Sequence, residues 1–452
     1  MARLFGTDGV RGLANGDTLT ASLALDLAVS AARVLIARDD YARRHASGRP
    51  LAVVGRDTRV SGQFLQAGVV AGLASAGVDV IDLGVIPTPG IAYLTDAMDA
   101  DLGVVITASH NPMPDNGIKF LQRGGVKLDD AVEDQIEALV GQPWEKPIGA
   151  DVGRISIADD AVERYVDHLN STLHKPLAGM KVVIDCAQGA SYRSAPLALE
   201  NAGVEVVAIH HDPSGLDINE ACGATHPESL QRAVVEHGAD CGFAFDGDAD
   251  RCIAVDHEGT IVDGDQLIAI MATALHGQGR LPNETVVVTV MSNLGFLHAM
   301  AEHGIAVRQT VVGDRYVAEG MRAGGFGLGG EQSGHIIFSD YATTGDGTLT
   351  ALQVLQRMAE TGRSLAELAA VMTRFPQVLL NVSGVDKRRC DDPELLAAVE
   401  AEQKALGDAG RVLLRPSGTE ALVRVMVEAE TSAEAHDVAE RLAEVVRERL
   451  SL

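Results

Sequence analysis

The sequence predicts an α/β protein of several domains, three of them built alike, followed by a smaller α+β domain. The prediction depends first on a pattern that occurs three times. A short apolar strand runs into a polar or glycine-bearing loop, a helical stretch follows, and a glycine precedes a second strand. The strand pairs fall at residues 51–55 and 76–80, 181–185 and 202–206, and 285–289 and 303–307. Spacings of roughly a hundred residues are typical of domains rather than of short repeats.

The second observation is that the last part of the chain has a different pattern of predicted strands and helices. Strands are predicted at 375–382, 410–415 and 421–428, and an amphipathic helix at 432–449. Such a set is typical of a small α+β domain. With 452 residues, 46% of them hydrophobic, the chain is long enough for roughly three or four domains with real cores. The alternative to a true repeat is a chance recurrence of common α/β turn signals.

Net charge narrows the classes of function. The formal net charge is −26, and the absence of a Lys or Arg block argues against a nucleic-acid partner. A small anionic substrate stays compatible with this charge, provided that local arginines overcome the repulsive overall field.

Cysteine usage and the lack of long apolar runs predict a cytoplasmic protein. The five cysteines, at positions 186, 222, 241, 252 and 390, have no C-x-x-C spacing, which disfavours a disulfide framework or a thiolate zinc site. Residues 1–10 have no apolar signal core, and no run has the length of a membrane span. We therefore expect no membrane partner.

The first candidate site is the stretch Thr107-Ala-Ser-His-Asn-Pro112. It follows the apolar run 102–106, which is typical of a buried strand, and open α/β sheets bind their ligands beyond such strand ends. Two prolines and an Asn-Gly pair lie close by, so Ser109 is predicted on irregular backbone with its hydroxyl exposed. The alternative is a polar cluster that only forms a turn.

The second candidate site is the acidic run of Asp246, Asp248 and Asp250 between two apolar strands. Alternate aspartates in a tight turn direct three hard oxygen donors to one side, as a hard divalent cation requires. An EF-hand is excluded, because Arg251 and His257 occupy the positions of its glycine and its final glutamate. A solvated acidic turn is the alternative, although crowded carboxylates need more compensation than one arginine.

Two glycine-bearing loops, at residues 329–335 and 415–420, complete the set. The second has the parts of a phosphate cradle, namely a guanidinium, two hydroxyls and a glycine that lets backbone N–H groups approach an anion. These residues are Arg415, Ser417, Gly418 and Thr419, and Arg424 follows within reach. Taken alone, each loop is equally compatible with a plain turn.

Together, these motifs resemble the α-D-phosphohexomutase superfamily over essentially the whole chain. The resemblance covers residues 5–12, 107–112, 246–251, 330–335 and 415–420, in the family's order. It implies four domains around a central cleft, three related α/β units and a C-terminal α+β domain. The expected ranges are 1–150, 151–254, 255–370 and 371–452, which carry the phosphoserine, metal, sugar-recognition and phosphate-binding loops in that order.

The resemblance also implies roles for single residues. The expected ligands of Mg²⁺ are Asp246, Asp248, Asp250 and an oxygen of a phosphorylated Ser109. The residues expected to bind the substrate are Arg11, Glu331, Ser333, Arg415, Ser417, Gly418, Thr419 and Arg424. Arg251 would add fixed positive charge at the site of transfer. The candidates for proton transfer are His110, Lys119 and His335, and the sequence leaves open which is base and which is acid. For His335, a turn histidine that only donates a hydrogen bond is the alternative.

The expected reaction moves a phosphoryl group between positions 6 and 1 of a sugar in two transfers. Residues 313–317 and Gln332 favour the branch that interconverts glucosamine 6-phosphate and glucosamine 1-phosphate, through glucosamine 1,6-bisphosphate as intermediate and activator. That product would feed UDP-N-acetylglucosamine and cell-wall precursor synthesis. A phosphomannomutase or phosphoglucomutase of the same superfamily is the alternative. Ala421 stands where the family's motif usually continues with proline.

Two other classes of function are alternatives to a mutase. A haloacid-dehalogenase-like phosphatase uses an aspartate nucleophile in D-x-D-x-T, but Asp250 occupies the threonine position and the run lies mid-chain. A sugar-phosphate sensor without activity is disfavoured by the intact Ser109 and aspartates. The sequence leaves open whether the protein is a monomer or a homodimer, and whether a kinase or autophosphorylation supplies the first phosphoryl group.

Overall fold

The structure is a computed structural model that describes residues 3–6, 8–36, 45, 47–417 and 422–452. It divides into two compact units. The first lies within Met1–Met291 and Ile305–Ala370, and the second within Ser292–Gly304 and Val371–Leu452. Among the described residues we find no helix with the length and apolar character needed to cross a membrane.

The first sheet contains the loop that carries Ser109. Its strands are β1 (Val10–Leu13), β2 (Leu51–Arg56), β3 (Asp79–Val85), β4 (Leu102–Ile106), β5 (Asp115–Gln122), β6 (Val126–Lys127) and β7 (Ile155–Ile157). The helices of this stretch are α1 (Ala21–Ile36), α2 (Ser61–Ser75), α3 (Thr88–Ala97), α4 (Asp130–Leu139) and α5 (Ala161–Ser171). The strand order is β1-β5-β4-β2-β3-β7, with β6 beside β5. Strand β2 is parallel to both β3 and β4, so their carboxyl ends lie at one edge of the sheet.

The second sheet carries the aspartate run in the turn between two antiparallel strands. Its strands are β8 (Lys181–Asp185), β9 (Glu205–Ile209), β10 (Cys241–Phe245), β11 (Cys252–Asp256) and β12 (Ile261–Val262), and its helices are α6 (Ser194–Asn201) and α7 (Glu228–His237). The order is β12-β11-β10-β8-β9, with β8 parallel to both of its neighbours. Asp246 is the first residue after β10.

The third sheet carries the loop with His335. In this stretch the helices are α8 (Gly264–Gly277), α9 (Leu294–Glu302), α10 (Asp314–Gly324), α11 (Gly347–Thr361) and α12 (Leu365–Ala369), and the strands are β13 (Thr285–Thr289), β14 (Ala306–Thr310), β15 (Leu328–Gly330) and β16 (Ile336–Phe338). The order is β14-β13-β15-β16, and only β16 is antiparallel to its neighbour in this sheet as described. Helix α9 falls within the second unit.

The second unit is the predicted small α+β domain together with α9. Its remaining elements are β17 (Gln377–Ser383), α13 (Pro393–Leu406), β18 (Arg411–Pro416), β19 (Leu422–Glu428) and α14 (Ser432–Arg449). The strands form an antiparallel sheet in the order β17-β19-β18. Helix α14 has the predicted apolar face, with Val438, Leu442 and Val446 buried. The sequence analysis did not predict α13, although Asp392 caps its first turn by accepting from the Glu394 and Leu395 N–H groups.

The predicted threefold repeat is confirmed, and with it the α/β fold class. Strand pairs β2–β3, β8–β9 and β13–β14 are each parallel neighbours joined through a helix. The glycines before the second strands, Gly77, Gly203 and Gly304, have φ angles of +84°, +94° and +70°, which the helix ends require. The predicted domain ranges stay a prediction. The first and second sheets extend to β7 and β12, past the predicted boundaries at 150 and 254.

The packing of α1 on α2 gives a test of the fold. A Cβ atom on Gly72 would lie 2.5 Å from the Leu25 carbonyl oxygen and 2.9 Å from the Ala28 Cβ. Gly72→Ala should therefore lower the free energy of unfolding by about 1–3 kcal/mol, because α1 would have to move. Gly277→Ala is the matched control, since among the described residues nothing lies within 4 Å of its Cβ position. The control should be neutral or raise stability by up to about 1 kcal/mol. Urea denaturation followed by circular dichroism compares the two, and equal stabilities would contradict the described packing.

Candidate active site

Loops from the three sheets of the first unit meet around Ser109. Ser109 follows β4, the aspartate run connects β10 to β11, and His335 directly precedes β16. Lys119 on β5 lies beside them, with its ammonium 3.3 Å from an oxygen of Asp248. The predicted catalytic and metal residues of this unit are thus brought together by strand ends, as expected for α/β sheets.

Ser109 is held in a strained backbone conformation. Its φ angle is +51°, a left-handed value that costs a non-glycine residue about 1–3 kcal/mol. The expectation of an exposed hydroxyl is wrong, because Ser109 is only 3% exposed. Its Oγ donates to Asp246 Oδ2 at 2.7 Å. The Nδ1 atom of His110 lies 3.2 Å from Ser109 Oγ. The hydroxyl faces the carboxylates rather than open solvent.

The three aspartates form a buried cluster, so the alternative of a solvated acidic turn is wrong. Asp246, Asp248 and Asp250 are at most 4% exposed, and their ligand atoms lie within 4.8 Å of one another. Burial, and then the charges of Asp250 and Asp248, raise the pKa of Asp246 to about 8. Within the described part of the chain, Asp248 Oδ1 and Asp250 Oδ1 are buried without a hydrogen-bond partner. Buried carboxylate oxygens without a donor are the ligands that a hard divalent cation takes, so the residues fit such an ion.

Lysines compensate part of this negative charge. The ammonium of Lys119 lies 2.7 Å from Asp8 Oδ2 and 3.3 Å from Asp248 Oδ2. Burial lowers the pKa of Lys119, but Asp8 and Asp248 outweigh burial and raise it. Lys127 continues the network, since its ammonium lies 3.1 Å from Asp8 Oδ1 and also pairs with Asp314. Lys119 is therefore held as an ammonium, the form that donates a proton.

His335 is buried between two carboxylates, so it is more than a turn histidine. Its Nδ1 lies 3.6 Å from Asp250 Oδ2, and its Nε2 lies 3.4 Å from Asp314 Oδ2. Burial lowers the pKa of His335, but Asp314 and Asp250 raise it above its usual value. The Gly345 N–H donates to Nε2 at 3.0 Å, so in the neutral ring the proton is on Nδ1, toward Asp250.

Glu331 and Ser333 lie in the same turn as His335 but differ in exposure. Glu331 Oε1 accepts the Gly313 N–H at 3.0 Å, and burial raises the pKa of its carboxyl. Ser333 is exposed. A partly covered carboxyl beside an open hydroxyl is a suitable pair for the hydroxyl groups of a sugar.

The predicted arginines of the first unit lie beside the serine loop. Arg251 is close to the aspartates, and its backbone N–H lies 3.3 Å from Asp246 Oδ1. Arg11 pairs with Asp8. Burial, followed by the charges of Arg251 and Arg11, lowers the pKa of His110 to about 4. Positive charge is therefore concentrated near Ser109 although the whole chain is acidic.

The second unit contains a pair of arginines that suits an anion. Arg415 on β18 and Arg424 on β19 are direct partners in the sheet register. Burial and the charge of the neighbouring Arg424 lower the pKa of Arg415. Ser417 N–H donates to the Leu422 carbonyl at 3.0 Å, so Ser417 stands at the base of the loop. The predicted Gly418 and Thr419, and Ala421, lie outside the described residues.

The sequence analysis missed several residues of the site. Asp8 and Asp314 lie inside the quoted stretches 5–12 and 313–317, but no role was assigned to either. Lys127 gave no signal of its own, because its two partners are distant in the chain. Asp57 and Arg59 follow the end of β2. The rule that ligand sites lie at strand ends could have drawn attention to them.

Comparison with known proteins identifies relatives along the whole chain. Models of the phosphoglucomutase/phosphomannomutase family match residues 2–145 (alpha/beta/alpha domain I), 163–259 (domain II), 263–375 (domain III) and 356–445 (C-terminal domain). A phosphoglucosamine mutase from a Nocardioides species is 66% identical over 453 residues, covering 100% of both chains.

Solved structures agree with the fold. A phosphoglucomutase/phosphomannomutase family protein from Burkholderia thailandensis is 25% identical and covers 100% of this chain and 99% of its own, with a TM-score of 0.83. An N-acetylphosphoglucosamine mutase from Aspergillus fumigatus, in complex with GlcNAc-6P and magnesium, is 19% identical, with coverages of 99% and 96% and a TM-score of 0.69.

The aspartate cluster predicts cation binding that can be measured without turnover. Asp248→Asn keeps the shape of the side chain and removes one of three charges, so the Kd for Mn²⁺, used as a spectroscopic probe, should rise at least about tenfold. Asp240→Asn is the control, because Asp240 directly precedes β10, at the end of the strand away from the aspartate run, and its side chain accepts the Lys181 N–H. Electron paramagnetic resonance of free Mn²⁺ gives both constants. Equal affinity in the two variants would remove Asp248 from the cation site.

Proposed function

We propose that this chain, which belongs to the phosphoglucosamine mutases of the phosphoglucomutase/phosphomannomutase family, interconverts glucosamine 6-phosphate and glucosamine 1-phosphate. The observation that carries the proposal is the contact of 2.7 Å between Ser109 Oγ and Asp246 Oδ2. It places a buried serine against three carboxylates that fit a cation, with Lys119 and Arg251 beside them. A serine that only formed a turn would not need this surrounding charge.

In the proposed cycle, Ser109 carries the phosphoryl group between two transfers. A hydroxyl oxygen of the sugar monophosphate attacks phosphorus, the bond from phosphorus to Ser109 Oγ breaks, and glucosamine 1,6-bisphosphate forms. The bisphosphate turns over, and Ser109 Oγ attacks the other phosphorus, which releases the isomeric monophosphate. The loose transition state of each transfer spreads negative charge over oxygen atoms, so positioning and charge compensation dominate catalysis.

We assign Mg²⁺ to Asp246, Asp248 and Asp250, together with one oxygen of the phosphorylated Ser109. The buried Asp248 and Asp250 oxygens without a donor in the described residues support this assignment. When bound, the ion neutralises charge on the transferring phosphoryl group. The remaining positive charge comes from the chain itself, chiefly from Arg251 and Arg11.

Proton transfer is proposed for three side chains around Ser109. Lys119 is held as an ammonium between Asp8 and Asp248 and can return a proton to an oxygen. His110 lies 3.2 Å from Ser109 Oγ, close to the oxygen that leaves and attacks. His335 Nδ1 lies 3.6 Å from Asp250 Oδ2. The base and acid roles are divided among these three groups.

Substrate recognition is proposed for two groups of residues. Glu331 and Ser333 would bind sugar hydroxyls. The phosphate that is not transferred would be bound by Arg415, Ser417, Gly418, Thr419 and Arg424. The paired guanidinium groups of Arg415 and Arg424 support this part of the proposal, since such groups bind phosphate in a bidentate manner.

The product would supply amino-sugar nucleotide synthesis in the cytoplasm, for UDP-N-acetylglucosamine and cell-wall precursors. The free cysteines, four of five buried, suit a reducing compartment. We further propose that the protein acts as a homodimer, and that a kinase or autophosphorylation places the first phosphoryl group on Ser109.

Replacing the serine tests the cycle. Ser109→Ala should fold normally and lose interconversion, because the variant lacks the Oγ atom that is proposed to carry the phosphoryl group. Ser75→Ala is the control, since the Ser75 hydroxyl donates to the Gly72 carbonyl within α2. With ³²P-labelled bisphosphate, label should appear on Ser109 in the parent and in the control. Label on an aspartate would indicate a phosphatase, label on neither residue would indicate a sensor, and turnover by Ser109→Ala would overturn the proposal.

The choice of sugar is tested by a side-by-side assay of glucosamine, glucose and mannose phosphates with Mg²⁺ and bisphosphate. Glucosamine phosphate should have the highest kcat/KM. An analogue that leaves a buried polar partner unpaired loses about 1–3 kcal/mol, or roughly 5- to 150-fold. Glucose phosphate should retain some activity, because its hydroxyl still forms hydrogen bonds. A mannose phosphate rate equal to or above that of glucosamine phosphate would assign the chain to the phosphomannomutase alternative.

A further inference from the structure

A buried ion pair lies directly beneath the Ser109 loop. The side chains of Asp57 and Arg59 are both 0% exposed, and Arg59 Nε lies 2.9 Å from Asp57 Oδ2. The Arg59 backbone N–H also donates to Asp57 Oδ1 at 2.9 Å. A buried ion pair is a weak source of stability, because removing two charges from water offsets their attraction. The other contacts of Asp57 and Arg59 therefore bear on what the ion pair does.

The remaining donors of Arg59 all bind backbone carbonyls of the loop. One terminal nitrogen donates to the carbonyls of Pro112 and Asp115 at 2.6 and 3.0 Å. The other donates to those of Ser109 and Asn111 at 3.0 and 2.8 Å. A guanidinium has five N–H donors, and with Asp57 all five are used. The loop is thus fixed at four points by one planar group.

Asp57 connects the same ion pair to the amide of Ser109. The Thr107 hydroxyl donates to Asp57 Oδ2 at 2.7 Å, and its oxygen accepts the Ser109 N–H at 2.9 Å. The peptide groups on both sides of Ser109 are therefore held, the N–H through Thr107 and the carbonyl by Arg59. These contacts fix the φ angle of +51° at Ser109.

We propose that Arg59, Asp57 and Thr107 form a positioning unit that keeps Ser109 Oγ directed at the metal site whether or not the serine carries a phosphoryl group. The inference rests on the proposed function. Ser109 must be attacked as phosphoserine and must attack as free serine within one cycle. A loop at a left-handed residue would relax to a more common backbone conformation without these contacts. A lysine could not replace Arg59, because an ammonium lacks the planar set of five donors.

The Thr107 hydroxyl gives the sharpest test, because Val has the shape of Thr without the donor and acceptor. In Thr107→Val, kcat should fall about 100-fold, the loss typical of a reacting group misplaced by 1 Å, while KM stays within threefold. Thr107→Ser retains the oxygen and should recover most of this loss. A role in stability alone would lower the melting temperature and leave kcat of the folded protein unchanged. A kcat of Thr107→Val within threefold of the parent overturns the proposal.

Arg59→Lys is the second variant and should also lose kcat about 100-fold with KM little changed. Arg49→Lys is its control, since Arg49 forms a bidentate pair with Asp79, at 2.8 and 3.1 Å, away from the loop. If Thr107→Val and Arg59→Lys both fail to fold, the residues stabilise rather than position, and the proposal is wrong. Ser109→Ala distinguishes failure of the positioning role from failure of the proposed function. If that variant is inactive while Thr107→Val and Arg59→Lys are fully active, only the positioning role fails.

Discussion

Three carboxylates buried side by side are the constraint on which the rest of the first unit depends. Asp246, Asp248 and Asp250 lie within 4.8 Å of one another at the end of a strand. Two like charges at about 4 Å repel by roughly 4 kcal/mol at the effective dielectric constant of a protein. The cluster therefore requires positive charge nearby. Lys119 and Arg251 supply part of it, and a divalent cation fits the oxygens that remain without donors in the described structure.

The compensation extends outward as a ring of alternating acidic and basic side chains. Each acidic member lies next to a basic one, and the ring begins and ends at the aspartate cluster. In order, the members are Asp248, Lys119, Asp8, Lys127, Asp314, His335 and Asp250. Two of the three candidates for proton transfer, Lys119 and His335, are thus connected through carboxylates and a lysine. A chain with a net charge of −26 thereby keeps basic side chains at a site for an anionic substrate.

Charge alone does not orient the nucleophile, and the backbone at Ser109 shows how orientation is achieved. A strained residue persists only where its surroundings determine it from several sides. At Ser109 these surroundings are Arg59 and Asp57 from the first sheet and Asn219 from the second, whose amide donates to the Ser109 carbonyl at 2.9 Å. The serine loop is therefore part of the interface between two sheets of one unit, rather than a free loop on one of them.

The sequence by itself determined the repeated strand–helix–strand units, the position of Ser109 at the end of a strand and the acidic turn. Each of these depends on apolar periodicity or on neighbours within a few residues. Only the tertiary structure decided that Ser109 is buried, that Arg59 holds its loop, and that Lys127 pairs with Asp314 across 187 residues of chain. Local patterns determine which element forms and which face is buried. The partner of a charged side chain depends on which distant strand ends are brought together by folding, and no local pattern records that.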